Sequence, residues 1–348
     1  MAKTRQKTKE IQDFILENVE ENPQDIASLA AGEFNISRQA IFRYTQKLES
    51  RKMLISEGNT RNKKYGLALL KDLSWEFPLE GLEEDKVWRK NIRPHIADLP
   101  KNILDIFDYG VTEMINNAID HSEGDTLTLS LQRTAIWATV RIEDNGIGIF
   151  NKIQRDLDLD DPRHAVLELS KGKLTTDPTR HTGEGIFFTS RMFDLYSIRS
   201  GMLHLAHIGK KDSAEGRDWL LEEENLHHGT AIRLKIHLNS SRILKNVFDH
   251  YAAPDEYGFD KTKVPVFLAT YGDENLISRS QAKRLLARFE KFKEIILDFK
   301  NVDMIGQAFA DEIFRVFQSA HPTIKFHPVN TNEQVQRMIQ RAIKANIE

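Results

Sequence analysis

Residues 113–122 read Glu-Met-Ile-Asn-Asn-Ala-Ile-Asp-His-Ser, and in a helix Glu113, Asn117 and His121, four apart, stack on one face. A helix face ordinarily turns apolar residues inward, so a carboxylate, an amide and an imidazole in line are either an exposed polar stripe or the wall of a site. Shortly afterwards a strand-like run over 136–143 ends in Asp144-Asn145-Gly146-Ile147-Gly148. Asp-Asn-Gly is turn chemistry and both glycines permit positive φ, so alone this stretch asks for nothing beyond a bend.

Two further glycine sets follow in order. His181-Thr182-Gly183-Glu184-Gly185 precedes a helical pattern over 185–195, and Gly229-Thr230 opens a strand over 230–238. Glycines let backbone approach a phosphate or a base, and the N–H groups at a helix start favour an anion. The polar face on the earlier helix has matching chemistry: carboxylate and amide oxygens are hard ligands suited to Mg²⁺, and a glutamate beside a polyphosphate can orient or deprotonate water.

In this order the four sets resemble the boxes of the GHKL (Bergerat-fold) ATPases, which include gyrase B, the Hsp90 chaperones, histidine kinases and the MutL proteins. The resemblance spans about 74–240: Glu113-x-x-x-Asn117-Ala118 is similar to the N box, Asp144-x-Gly146-x-Gly148 to the first glycine box, Gly183-x-Gly185 to the second and Gly229-Thr230 to the third. It implies that ATP is the ligand and Mg²⁺ its cofactor. Asp144 would accept the adenine amino group with Thr230 supporting a bridging water, Asn117 would coordinate Mg²⁺, and Glu113 would be the general base. Gly146, Gly148, Gly183 and Gly185 would bring backbone to the nucleotide. Residues 151–182, polar and irregular with room for one helix, would be the ATP lid, with Lys171, Lys173, Arg180 and His181 as phosphate contacts. His121 resembles the N box of the anti-sigma-factor kinases and Asp120 that of gyrase and MutL, so neither selects a branch; a helix-capping role for His121 stands beside a site role.

Apolar residues Ile11, Phe14, Ile15 and Val19 recur at helical spacing, a short helix follows over 25–33, and Ser37 caps a third over 37–51. Two strand-like runs around Ser56-Glu57-Gly58-Asn59-Thr60 then read as a hairpin, so residues 1–67 resemble a winged helix-turn-helix. Charge divides this segment: 1–36 holds four basic and seven acidic residues, 37–66 eight basic and two acidic. The basic half is where DNA would lie, against Arg38, Gln39, Arg43, Tyr44 and Lys47 on the third helix and Arg61, Lys63 and Lys64 on the wing. A winged helix used for protein contacts, its charge a solvated face, is the plainer alternative.

Beyond a bridge over 240–263, strand-like runs at 264–269, 295–299 and 323–327 alternate with helical patterns at 280–292, 307–318 and 333–343, a small α/β module. The stretch 295–312 resembles the STAS domains of anti-sigma-factor antagonists. It departs from them where they carry a phosphoacceptor serine or threonine, because Gly306-Gln307-Ala308-Phe309 stands there, so docking rather than phosphate acceptance is implied for 260–348. The expected fold class is therefore α+β and multidomain: a winged helix, a Bergerat α/β sandwich of mixed sheet and helices, and a STAS-like module.

With no cysteine the chain can build neither a disulfide framework nor a thiol nucleophile. Its basic N-terminus leads into an amphipathic helix rather than a signal-type apolar core, and no run of about 18 apolar residues occurs, so a cytoplasmic protein without membrane attachment is expected. The histidine-kinase reading lacks a phosphoacceptor His on an upstream dimerisation helix. What the sequence favours is an ATP-dependent DNA-binding regulator in which Mg-ATP binding and slow hydrolysis switch conformation or assembly. Its expected partners are DNA, a second copy through the ATPase domain or winged helix, and a protein docked on the STAS-like module. The alternative is an anti-sigma-factor-like serine/threonine kinase acting on a separate partner.

Overall fold

The computed structural model describes residues 2–59, 62–174, 183–211, 213–252, 259–270 and 275–344. They divide into two compact units: 1–75 with 129–141 and 235–240, and 76–128 with 142–234 and 241–348.

The first unit begins with three helices, α1 (Ala2–Asn18), α2 (Ile26–Glu33) and α3 (Arg38–Ser50). Ser37 starts α3 by accepting a hydrogen bond from the Ala40 amide at 3.2 Å, as a serine N-cap should. Strands β1 (Leu54–Glu57) and β2 (Lys64–Leu67) pair antiparallel with Leu54 opposite Leu67. The helical periodicity of 11–19 has its physical counterpart in a core of Ile11, Ile15, Val19, Ile41 and Leu48. Ile136 completes this core from a turn over a hundred residues further along the chain, with Ala135 and Trp137 packed against it. Lys235 lies over the Trp137 ring at 4.3 Å and within 3.5 Å of Glu20, so its stem covers the aromatic face while its charge is paired.

Strand β3 (Lys71–Pro78) leads to a helical stretch made of α4 (Glu84–Val87), a π turn (Trp88–Ile92) and α5 (Arg93–Ile96), and then to α6 (Lys101–His121). Helix α6 buries Ile103, Phe107, Val111, Met114 and Ile115. Its Gly110 permits close packing, since a Cβ there would stand 2.6 Å from the Phe193 ring. Next come β4 (Thr126–Arg133), β5 (Trp137–Asp144), α7 (Ile149–Asp156), α8 (Pro162–Lys171), α9 (Gly185–Met192), β6 (Leu195–Gly209) and β7 (Gly216–His237). The five strands lie in the order β3-β4-β5-β7-β6.

The polar stretch after 150 carries two helices rather than one: α7 buries Phe150 and Ile153, and α8 is started by Pro162 with the Asp161 carboxylate accepting from the Arg163 amide at 2.7 Å. Asp161-Pro162 is a helix N-terminus inside a stretch expected to be largely irregular. The runs 218–221 and 230–238 are parts of one strand, β7, whose middle is polar and mostly exposed and so shows no strand alternation.

Helix α10 (Leu244–Tyr251) occupies the expected bridge, and β8 (Lys261–Pro265) passes into a 3-10 turn at Val266–Ala269 that was expected to be strand. Then follow α11 (Arg279–Leu286), β9 (Glu294–Asp298), α12 (Gln307–Asp311) with a π continuation, α13 (Gln318–Ala320), β10 (Lys325–Val329) and α14 (Glu333–Lys344). Strand β9 is paired in parallel with β8 on one side and β10 on the other, and its Ile295 and Leu297 are fully buried, as a central parallel strand requires. Among the described residues no helix is long and apolar enough to cross a membrane.

Truncating Ile136 to Ala should cost about 2–5 kcal/mol of stability, the usual range for a buried Ile, measured as a lowered urea midpoint. An unchanged midpoint would mean that the β4–β5 turn does not support the helical core.

Candidate functional site

The second unit contains a cavity of about 270 Å³ whose wall includes Glu113, Asn117 and His121 of α6, Asp144 at the end of β5, and Thr230 of β7. Met114, Ile142, Ile153, Ile186 and Ile232 make its apolar surfaces. Leu169, Leu174, Gly183 and Gly185 contribute from the region expected to cover a nucleotide. The two features that opened the sequence reading, the polar helix face and the strand end, thus line one concavity.

Asp144 is buried, and its Oδ1 accepts from the Gly146 amide at 2.9 Å and the Thr230 amide at 3.2 Å. Thr230 Oγ1 in turn accepts from the Ile149 amide at 3.0 Å. Glycine is required for this convergence: a Cβ on Gly229, whose φ is +73°, would stand 1.9 Å from the Asp144 carbonyl oxygen, and one on Gly146 2.0 Å from that of Ser122. Asn145 fastens the other side by accepting from the amides of Asp125 at 2.8 Å and Thr126 at 3.0 Å. Burial pushes the Asp144 carboxyl above its ordinary value, against the pull of the Gly146 and Thr230 hydrogen bonds.

Glu113 stands against the start of α9, where a Cβ on Gly185 would meet its Oε2 at 2.1 Å. One turn further along α6, Asn117 Nδ2 is buried without a hydrogen-bond partner among the described residues. A buried amide in a cavity wall with capacity to spare is what a polar ligand would satisfy, and rotation of the amide would present its oxygen there instead. Burial, with Glu113 and Glu184 nearby, raises the Tyr109 hydroxyl.

Other expected residues lie elsewhere. Lys171 is not in the cavity wall: its Nζ is buried against Glu168 Oε1 at 2.6 Å and donates to the carbonyls of Arg284 at 3.1 Å and Ala287 at 2.9 Å. Burial brings this ammonium down to about 8 despite the pull of Glu168. Lys173 donates to the Lys291 carbonyl at 2.9 Å and lies over the Phe292 ring. Both lysines therefore turn to the C-terminal module. Arg180 and His181 lie outside the described residues, as does Arg61. Gly146 and Gly148 shape the bend beside Asp144 without lining the cavity.

Lys152, missed by the sequence reading, does line the cavity, with its Nζ 2.8 Å from Glu123 and 3.5 Å from Asp156. Recognising the amphipathic turn Phe150-x-x-Ile153 would have put it on a helix beside the site. In the first unit, Arg38, Gln39, Arg43 and Lys47 are exposed on α3 and Lys64 on β2. Tyr44 is half-buried against the helical core, and Lys63 pairs with Glu49 at 3.3 Å while lying over the Tyr65 ring at 4.7 Å, so packing claims part of both.

Residues 86–205 match the family model described as the histidine kinase-like ATPase domain, and 281–336 that of the STAS-like domain of unknown function (DUF4325). This chain carries a GHKL-type ATPase domain and a STAS-like domain. The ATPase match ends before Gly229 and Thr230, yet the fold brings both against Asp144 within the same unit. No curated protein matches the chain.

Asp144→Asn keeps an oxygen able to accept from the Gly146 and Thr230 amides while removing the charge. Because the folded carboxyl sits above its ordinary value, its favourable linkage is complete below the unfolded value and is lost as pH rises through the folded one, so near neutrality the native carboxylate is destabilising. The variant should therefore melt no lower than the wild type at pH 7 and show no nucleotide binding by calorimetry. A large drop in melting temperature would mean that the charge serves the fold.

Proposed function

We propose that the chain is a cytoplasmic, ATP-dependent DNA-binding regulator in which Mg-ATP binding and slow hydrolysis switch conformation or assembly. The observation that carries the nucleotide half is the buried Asp144 carboxylate held by two backbone amides in a cavity that also contains Glu113 and Asn117. A carboxylate selects adenine because it accepts from the exocyclic amino group, and Met114, Ile142 and Ile232 offer apolar surface to the ring. Thr230, held beside Asp144, would support the bridging water.

Among the described residues no group of three His, Asp or Glu side chains could hold a metal by itself. A lone amide with an adjacent carboxylate suits Mg²⁺, which keeps several waters and takes its other ligands from phosphate. Asn117 would hold the ion, and bound Mg²⁺ would neutralise phosphate charge. Glu113 would orient the attacking water and accept its proton, while the amides around Gly183 and Gly185 would receive the phosphate oxygens. His181, and the lid lysines once turned inward, would supply cations.

The DNA half is supported by the exposed Arg38, Gln39, Arg43 and Lys47 on α3 and Lys64 on β2, in a unit whose helices and hairpin have the order of a winged helix. Side chains on α3 would meet base edges and phosphates, and those on the hairpin the flanking backbone. ATP would favour one arrangement of the chain or of a pair of chains, and hydrolysis would release it.

Glu113→Ala should retain ATP binding and lose at least about a hundredfold in phosphate release, within the range for general-base catalysis; undiminished turnover would remove Glu113 from that role. If γ-labelled phosphate were transferred to a co-purified protein instead of released, the anti-sigma-factor-like kinase reading would replace this one. Arg43→Ala and Lys64→Ala should each weaken DNA binding in a fluorescence titration and flatten its salt dependence. Insensitivity to both substitutions and to salt would leave the helices and hairpin as a protein-contact module.

A further inference from the structure

The two basic side chains at the end of α8 are engaged by the STAS-like module through a dense set of polar contacts. Lys171 Nζ and the Arg288 guanidinium share the Glu168 carboxylate, at 2.6 Å to Oε1 and 2.8 Å to Oε2. The Lys171 ammonium donates in addition to the Arg284 and Ala287 carbonyls. The last carbonyls of an α-helix lack intrahelical donors, and here the module supplies them: Thr262 Oγ1 donates to the Lys171 carbonyl at 2.7 Å and Arg288 to the Gly172 carbonyl at 2.8 Å. Arg288 does this from a left-handed backbone, with φ +65°, a conformation unusual for a residue with a side chain. Gly172 is itself closely packed just ahead of the module, since a Cβ there would stand 2.6 Å from the Phe259 ring. Lys173 completes the set through its bond to the Lys291 carbonyl and its place over Phe292.

This segment also belongs to the cavity, because Leu169 and Leu174 on either side of it line the wall. Residues 171–173 turn one way, into the module, and their flanks turn the other way. An ammonium bonded to carbonyls of the module cannot at the same time contact a phosphate in the cavity. Module docking and phosphate binding are therefore competing uses of the same two cations. Resting on the nucleotide-binding reading above, we propose that the STAS-like module is an autoinhibitory clamp on the end of α8, residues 168–173. Whatever draws the module off Glu168, Lys171 and Lys173 raises nucleotide affinity, and by reciprocity bound nucleotide weakens module docking.

The test uses the full chain, a fluorescent ATP analogue with Mg²⁺, and hydrogen exchange across 162–174 and 281–291. Arg288→Ala should tighten analogue binding about tenfold, equivalent to about 1.4 kcal/mol, and raise exchange in both segments. The near-isosteric Thr262→Val, which removes one contact without a new cavity, should shift both readouts the same way by less. Adding Lys173→Ala to Arg288→Ala should take back part of the gain, because the freed ammonium is what reaches phosphate. In the wild type, saturating ATP should raise exchange at 281–291. Folded Arg288→Ala and Thr262→Val chains that bind the analogue no more tightly than wild type, or wild-type exchange at 281–291 that ATP leaves unchanged, would overturn the clamp. Absence of binding in the wild type and every variant would instead sink the nucleotide reading and the clamp with it; wild-type binding with unaltered variants sinks the clamp alone.

Discussion

Asp144 is a carboxylate taken largely out of water, and the local fold is arranged around keeping it there. An unpaired buried carboxylate is costly, and here the compensation comes from two backbone amides rather than a cation. Amides can reach it because three chain segments meet with glycine at the contacts: Gly146 beside the Ser122 carbonyl, Gly229 over that of Asp144, and Gly148, at φ +87°, entering α7. The same convergence aligns β5 with β7 and sets α7 along the cavity, which is how Lys152 and Ile153 come to line it. A carboxylate held by neutral donors keeps its charge available to a ligand, whereas an ion-paired one would not.

The lysines at the end of α8 obey the opposite rule. Lys171 is fully buried and satisfied by a carboxylate and two carbonyls, so its charge is spent on holding elements together. Breaking one partner from such a buried pair is far more damaging than losing a surface ion pair, so the polar contacts between α8 and the STAS-like module are costly to disturb. The cavity wall and the module contact thereby lie close together in the chain, with Leu169 and Leu174 in the wall and Lys171 and Lys173 between them bonded to the module.

The candidate site was legible in the sequence where chemistry and order coincide. Glu113, Asn117, Asp144, Gly183, Gly185 and Thr230 are far apart in the chain but line one cavity, and their residue types already pointed to a polyphosphate ligand. Periodicity likewise exposed α1 and α3, whose Ile11, Ile15, Ile41 and Leu48 are buried. Less legible were segments whose polar residues are held by tertiary partners. The acidic run in β7 hid a strand, and the charged stretch around Asp161-Pro162 hid α8. Lys171 and Lys173 were assigned to phosphate on charge and position alone; nothing local reveals that the carbonyls of Arg284, Ala287 and Lys291, more than a hundred residues on, engage them. Ile136 was similarly silent, since its place in the helical core depends on residues distant in the chain.

Base discrimination probes the central claim most directly, because it depends on the Asp144 carboxylate itself. Calorimetric titration of the full chain with Mg-ATP and with Mg-GTP should show saturable one-to-one binding of ATP and at least about a hundredfold weaker binding of GTP, since guanine would set a carbonyl oxygen against the carboxylate and leave a buried acceptor unpaired. Equal affinity for the two nucleotides, or binding of neither, would contradict an adenine site built on Asp144.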